Sequence, residues 1–419
     1  MNRIILIGNG FDLAHGLRTS YKNFIDDFWE KQIEEIKKEI IDNNGFFNTH
    51  TRNQNLPIVS NEYFKIECSS YFFSDINVLD RIHSYADLKE WMDKQRSARM
   101  WFTFSNDFLY QISKNLQLNN WVDIEEEYFK LLTKCYADNE KKGEETSYTI
   151  KKLNKDFKYV RQAFIGYLLT AKEARTVKEK ETDIKIYDYI DFDKDFIHKY
   201  LYEIAEANCK SQPSYQMLDL HNEGKFADKK KKELINNEIE NLRHNKKECP
   251  EELLFLSLNY TETETLYTNE PKEGKTHVQK IHIHGELANP DNPIIFGFGD
   301  ENCKDYKEIE DLNNNDYLEY FKTTMYSNTS NYRDFLNFID ADKYQVFIMG
   351  ASCGASDKTL LKTLFEHENC ISIKCFYHKI DNNTDDYSDI IKNISRCFSD
   401  KAMMRAKVVN KKFCEPLVP

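Results

Sequence analysis

An imidazole, a carboxamide and a carboxylate stand in this chain at the ends of short apolar runs: His284 in 278–285 (VQKIHIHG), Asn259 in 253–260 (LLFLSLNY), and Asp12 after Gly8-Asn9-Gly10-Phe11. A histidine takes up or releases a proton near neutral pH, and an asparagine hydrogen-bonds a hydroxyl or a water without carrying charge. A carboxylate can face a developing positive charge. Gly8 and Gly10 lack a Cβ, so a phosphate or ribose can approach the backbone there, with the following amides turned toward the anion. A fourth segment, 344–357 (YQVFIMGASCGASD), adds Gly350, Ser352, Ser356 and Asp357 at a turn suited to a second ribose or an adenine. Binding a phosphorylated sugar, and acting on a bond beside it, is chemistry these residue types could perform.

The elements that must position them are parallel strands. Ile4, Ile5, Leu6 and Ile7 form an apolar run that stops at a Gly-x-Gly turn, as a buried strand does before a helix. The segments 253–260, 278–285 and 344–357 read as three further strands, and in open α/β sheets ligands bind outside the carboxyl ends. Ile281 and Ile283 alternate with His282 and His284, which places both histidines on one face of a strand ending at Gly285. Ile371 to Tyr377 reads as a final strand and Tyr387 to Phe398 as a helix.

Between the first strand and the rest, the sequence reads as helical. From 61 to 249 only Gly143, Gly166, Gly224 and Pro213 punctuate the chain. Phe24, Phe28, Ile36 and Ile40 make a helical stripe behind a cap at Thr19 or Ser20; Phe157, Val160, Phe164 and Leu168 make a second; Ile197, Leu201 and Ile204 make a third. Residues 43–61 read as a loop. The fold expected is α/β, a Rossmann-like, mostly parallel sheet with a large helical insertion. Its nucleotide-binding domain is discontinuous, 1–60 and 250–419, around a mainly helical insertion at 61–249.

Each side chain also has a structural reading. Asn259 can stop a strand, Asp12 can cap the first helix, and His284 can be a hydrogen-bonded strand-end residue. His277, His282 and His284 would make a metal site only with a carboxylate or cysteine at ligand spacing, which is missing, so no metal is expected. Gly350-Ala351-Ser352-Cys353-Gly354 fits the Gly-x-Ser-x-Gly elbow of serine hydrolases, with His367 or His378 as the partner, but the turn stands too close to the last strand. Glu125 reads as structural.

The set Gly8-Asn9-Gly10-Phe11-Asp12 with Gly16-Leu17 and Thr19-Ser20-Tyr21, Trp121-Val122-Asp123-Ile124-Glu125, Leu258-Asn259-Tyr260-Thr261, His282-Ile283-His284-Gly285, and Gly350-Ala351-Ser352 with Gly354 and Asp357 resembles the bacteriophage abortive infection protein family AbiH. The chain departs from that pattern at Ala351-Ser352-Cys353, where His-Ser-Leu often follows the glycine. More distantly, the motif order is similar to that of sirtuin-like NAD-consuming domains. These resemblances imply an anti-phage effector with NAD as substrate and no resident cofactor, hydrolysing the nicotinamide–ribose bond. Catalytic roles fall on His284 as base, Asn259 positioning ribose or water, and Asp12 facing the ribosyl cation. Binding roles fall on Gly8, Asn9, Gly10, Phe11, Gly285, Gly350, Ser352, Ser356 and Asp357. The alternative is a non-catalytic nucleotide-binding sensor or scaffold in a defence system.

Composition excludes several other classes. A net charge of −12 disfavours nucleic acid and anionic membrane as general partners. Lys229 to Lys232 is flanked by Asp228 and Glu233 and reads as a solvated face. The 10 cysteines contain no Cys-x-x-Cys pair, which argues against the zinc module of protein deacylases and for a reducing compartment. No apolar run approaches the ~20 residues of a membrane span, and no cationic-then-apolar leader precedes the first strand, so a cytoplasmic protein is expected. Beyond NAD or a related nucleotide, a second copy of the chain and a defence-system protein remain open as partners.

Overall fold

Every residue of the first strand, β1 (Asn2–Ile7), is buried, which explains why its apolar residues run together instead of alternating. In the computed structural model, which describes residues 1–50, 56–68, 81–95, 100–119, 123–140, 148–173, 185–221, 225–244, 248–268, 276–301, 303–381 and 383–418, β1 lies at the centre of a parallel sheet. Its neighbours are β5 (Glu252–Ser257) on one side and β7 (Tyr344–Met349) on the other. The sheet continues outward to β6 (His277–His282) beyond β5, and to β8 (Cys370–Tyr377) and β9 (Glu415–Pro416) beyond β7. The chain thus starts in the middle, builds toward one edge, and returns to build toward the other.

Contacts divide the chain into two units. The first, 1–16, 177–295 and 326–419, holds this sheet; the second comprises 17–176 and 296–325. The boundaries expected at 60/61 and 249/250 fall inside these units. In the second unit, β2 (Leu56–Ser60), β3 (Phe64–Cys68) and β4 (Met100–Phe104) form an antiparallel sheet among helices. The insertion is therefore helical with a small sheet of its own.

Within the sheet unit, apolar side chains cover both faces. Ile4, Leu6, Val346 and Ile348 join one core with Leu360, Leu364 and Ile394, while Ile5, Ile7, Phe255 and Phe347 join another with Phe11 and Tyr267. Asn2 and Arg3 are the buried polar residues of β1, and Arg3 is held by several partners. Its guanidinium donates to the carbonyls of Ile186 and Asp188 at 2.8 and 2.7 Å and lies 4.2 Å from the Phe347 ring. Burial, against the opposing pull of Asp195, lowers its pKa to about 10.

Most expected elements recur with shifted ends. The helix Tyr21–His50 opens with Ser20, whose hydroxyl accepts the Asn23 amide at 3.1 Å, and it buries Phe24, Phe28 and Ile36. The helix Ile150–Glu173 buries Phe157, Val160, Phe164 and Leu168. The third stripe is shorter than read, because Ile197 precedes the helix His198–Lys210 and is exposed. The loop expected at 43–61 is overturned: helix continues to His50 and β2 occupies 56–60, while 51–55 lie outside the described residues. A single glycine costs a helix only about 1 kcal/mol, less than is needed to end one already nucleated, and no proline intervenes before Pro57. Trp121, Val122, Gly143 and Gly224 also lie outside the described residues.

Two glycines separate backbone demands from helix propensity. Gly350 has φ +76°, and a Cβ there would lie 2.0 Å from the Phe11 nitrogen, whereas a Cβ at Gly166, inside its helix, meets nothing within 4 Å. Gly350→Ala should lower stability by about 1–3 kcal/mol, and Gly166→Ala should raise it by about 0.5–1 kcal/mol. Thermal melts of the two variants check both signs; a Gly350→Ala protein as stable as the parent contradicts the packing.

Candidate active site

The turns after β1 and β7 meet through their backbones. A Cβ on Gly8 would lie 2.4 Å from Ala351 Cα, and one on Gly10 would lie 2.8 Å from Gly350 Cα. The Gly8 amide donates to the Met349 carbonyl at 3.2 Å, the Gly10 amide to Gly350 at 2.8 Å, and the Phe11 amide to Gly8 at 2.9 Å. The absent side chains thus let two turns touch, and these three amides have carbonyl partners within the protein. Phe11 is fully buried in the core, its ring 4.5 Å from that of His15. Asn9 is exposed beside it.

The loop leaving β5 ties these turns to the next strand end. Asn259 donates from Nδ2 to the Gly8 carbonyl at 3.0 Å. Thr261 and Thr263, two residues apart, each donate a hydroxyl to one oxygen of Asp12, at 2.6 and 2.7 Å. Asp12 is 1% exposed, so both its oxygens are engaged away from bulk solvent. The N-cap position of the short helix Asn9–Ala14 is Gly8, and Asp12, one turn in, anchors the loop after β5 through the two threonines.

The strand expected to carry both His282 and His284 ends at His282, and His284 lies in the turn beyond it. A strand keeps its two-residue period only as long as the ladder lasts. His282 points to Glu264, 2.9 Å from Nε2, and its Nδ1 lies 3.3 Å from the Asn259 carbonyl. Burial favours the neutral ring, but the hydrogen bond and charge of Glu264, joined by Glu286, outweigh it and raise the His282 pKa. The second oxygen of Glu264 is buried with no hydrogen-bond partner among the described residues.

His284 has a different set of partners. Nδ1 lies 3.2 Å from the Leu258 carbonyl; Nε2 lies 3.3 Å from the Tyr326 hydroxyl and 3.1 Å from Asp357 Oδ1. Gly285, with φ +85°, makes the turn that follows; a Cβ there would strike the Pro293 carbonyl at 2.3 Å. Polar groups that follow β5 and β7, with the Tyr326 hydroxyl, therefore meet an imidazole that follows β6. Proton transfer is chemistry this cluster can perform.

The structure thus joins Asn259 to Gly8, Gly10 to Gly350, and His284 to Asp357. Ser356 is buried in the same turn. Ser352 is exposed, and its carbonyl accepts from Asn393 at 2.8 Å. His367 cannot serve Ser352 as a triad partner: it precedes β8 at the amino ends of the strands, paired with Asp340 at 3.0 Å, whereas Ser352 follows the carboxyl end of β7. His277 begins β6 and His282 ends it, and the described residues contain no group of three or more metal-capable side chains. In the second unit, Glu125 accepts the Gly297 amide at 2.8 Å and buried Lys322 at 3.0 Å, a structural arrangement. Sequence reasoning missed Tyr326, which no motif marks, and Glu264. The alternation Thr261-Glu262-Thr263-Glu264-Thr265 is a visible signal for the latter.

Among known proteins, the family model of bacteriophage abortive infection AbiH matches residues 4–379. No curated protein and no solved structure matches the chain.

His282 gains a carboxylate partner on folding, and its pKa rises above the ordinary 6.5. Its contribution to stability is complete below that value and is lost as pH climbs through the raised folded pKa. In urea denaturation, the advantage of the parent over His282→Gln should be larger at about pH 6 than at about pH 9. An advantage that grows with pH contradicts the pairing.

Proposed function

This chain belongs to the bacteriophage abortive infection AbiH family, and we propose that its sheet unit hydrolyses NAD, or a closely related nucleotide, at the nicotinamide–ribose bond during phage defence. The observation that carries the reading is the His284–Asp357 contact at the carboxyl edge of the sheet, 3.1 Å long and formed by loops from separate strands. Numbered along the chain within this sheet, its strands run 3-2-1-4-5-6, the order of doubly wound dinucleotide folds, which supports a Rossmann-like reading. In such folds the ligand crevice lies where the strand order reverses, here beside β1, and the turns after β1 and β7 stand at that point.

Cleavage of this bond leaves a cation-like ribosyl carbon while the pyridinium departs as a neutral ring. The His284–Asp357 pair supplies a proton acceptor and a negative charge. Asn259, held to the Gly8 carbonyl, positions the ribose or the attacking water. Asn9, Gly10, Gly350, Ser352 and Ser356 border the nucleotide. A cytoplasmic enzyme of this kind would deplete NAD in the infected cell; no helix among the described residues is long and apolar enough to cross a membrane.

A second reading has an observation in its favour. The Gly8, Gly10 and Phe11 amides, both oxygens of Asp12 and the Asn259 amide all have partners within the protein, which suits a pocket that binds a nucleotide without converting it and signals to a partner. The two readings separate on incubation with NAD. Hydrolysis releases free nicotinamide, whereas a sensor shows saturable binding alone.

Under the first reading, His284→Ala should lower nicotinamide release by at least about 100-fold, with NAD affinity by calorimetry changed little. Undiminished release by that variant removes His284 from the reaction.

A further inference from the structure

Asp357 occupies the N-cap of the helix Lys358–Glu366, where an aspartate ordinarily accepts the first free amides, yet its side chain makes no capping hydrogen bond. Its Oδ1 turns instead to His284 Nε2, 3.1 Å away. On the opposite side of that ring, Nδ1 faces the Leu258 carbonyl at 3.2 Å. A carbonyl only accepts, so the Leu258 contact makes Nδ1 the donor, while Nε2 faces both the Asp357 carboxylate and the Tyr326 hydroxyl. Nε2 is thus the nitrogen left for chemistry, and the Asp357 carboxylate stands against it.

Exposure divides the pair in the same sense. The Asp357 side chain is 15% exposed and that of His284 4%. In a Ser-His-Asp triad the carboxylate stands behind the imidazole, on the nitrogen remote from the reacting hydroxyl. Here a backbone carbonyl holds that rear position, and the carboxylate stands at the front, with the Tyr326 hydroxyl 3.3 Å from the same Nε2.

Resting on the reading of the sheet unit as an NAD hydrolase, we propose that Asp357 is the catalytic residue facing the substrate and that His284 is a positioning residue holding its carboxylate. The bond between ribosyl C1′ and the nicotinamide nitrogen breaks, and its electron pair stays with nitrogen, so nicotinamide leaves neutral. Asp357 faces the cationic C1′ and stabilises it by charge. A water oxygen bonds to C1′, and one water proton passes to the carboxylate and on to solvent. The products are nicotinamide, ADP-ribose and a proton. A cation-like carbon needs little help from a base, so a carboxylate held beside an imidazole suits this role.

The test measures nicotinamide release from NAD by the full chain in extracts of phage-infected cells, over a range of pH, with calorimetric NAD affinity reporting that each variant is folded. Asp357→Asn, which keeps the shape of the side chain, and Asp357→Ala should each lose at least about 100-fold in turnover. Sodium formate should restore part of the Asp357→Ala activity and none of the His284→Ala activity. His284→Gln, whose amide can still donate to Asp357, should retain turnover within about 10-fold of the parent with a flattened pH profile near neutrality. Turnover by Asp357→Asn within about threefold of the parent overturns the assignment of Asp357 alone. Loss in His284→Gln as deep as in Asp357→Asn, with no formate rescue, also overturns it. No release by the unaltered chain overturns the hydrolase reading and this assignment with it.

Discussion

The backbone of the turn after β1 lies against the backbone of the turn after β7, and the remaining polar contacts at this edge of the sheet depend on that approach. Gly8 and Gly10 have no room for a side chain, and Gly350 adopts a positive φ that a side chain would strain. Two parallel strands paired along their length would otherwise diverge into loops of independent conformation. Because these two do not, the Gly8 carbonyl stands where Asn259 can reach it, and Asp12 stands where two threonine hydroxyls can reach it. A glycine pair that looks made for a phosphate is in this fold also the contact surface between two loops.

The polar residues at the strand ends fall into two groups by exposure and partners. Asp12, Asn259, Glu264 and His282 are buried and bond to one another's loops. Buried polar groups of this kind are costly unless satisfied, and once satisfied they hold a single arrangement. Asp357 belongs to the other group. It is partly exposed, its side chain makes no cap bond to its own helix, and it faces an imidazole that meets a carbonyl on its other side. A rigid network beneath a less buried carboxylate is the division expected of a site that must stay organised while one member meets a ligand.

The second unit shows a parallel use of buried charge. Glu125, in the motif that resembles the family pattern, accepts an amide and a lysine that the sequence places 172 and 197 residues away. Breaking such a pair leaves an uncompensated buried charge, which costs far more than losing a surface salt bridge.

By itself the sequence determined the local elements, because their signals are local. The apolar run Ile4 to Ile7, stopped by a Gly-x-Gly turn, reads as a buried strand, the stripe from Phe157 to Leu168 as one face of a helix, and the hydroxyl at Ser20 as a helix start. It also placed Asn259, His284, Gly350 and Asp357 at strand ends. It could not place the end of β6, since the alternation Ile281-His282-Ile283-His284 continues after the ladder stops; nor could it tell a loop from a helix at 43–50, where a glycine and asparagines weaken a helix without ending it. Only the tertiary structure decided which side chains meet. Hydrogen bonds such as Thr261 to Asp12, or Tyr326 to His284, join residues with no sequence relationship, and their geometry follows from strand order and loop path, neither of which leaves a periodic trace in the chain.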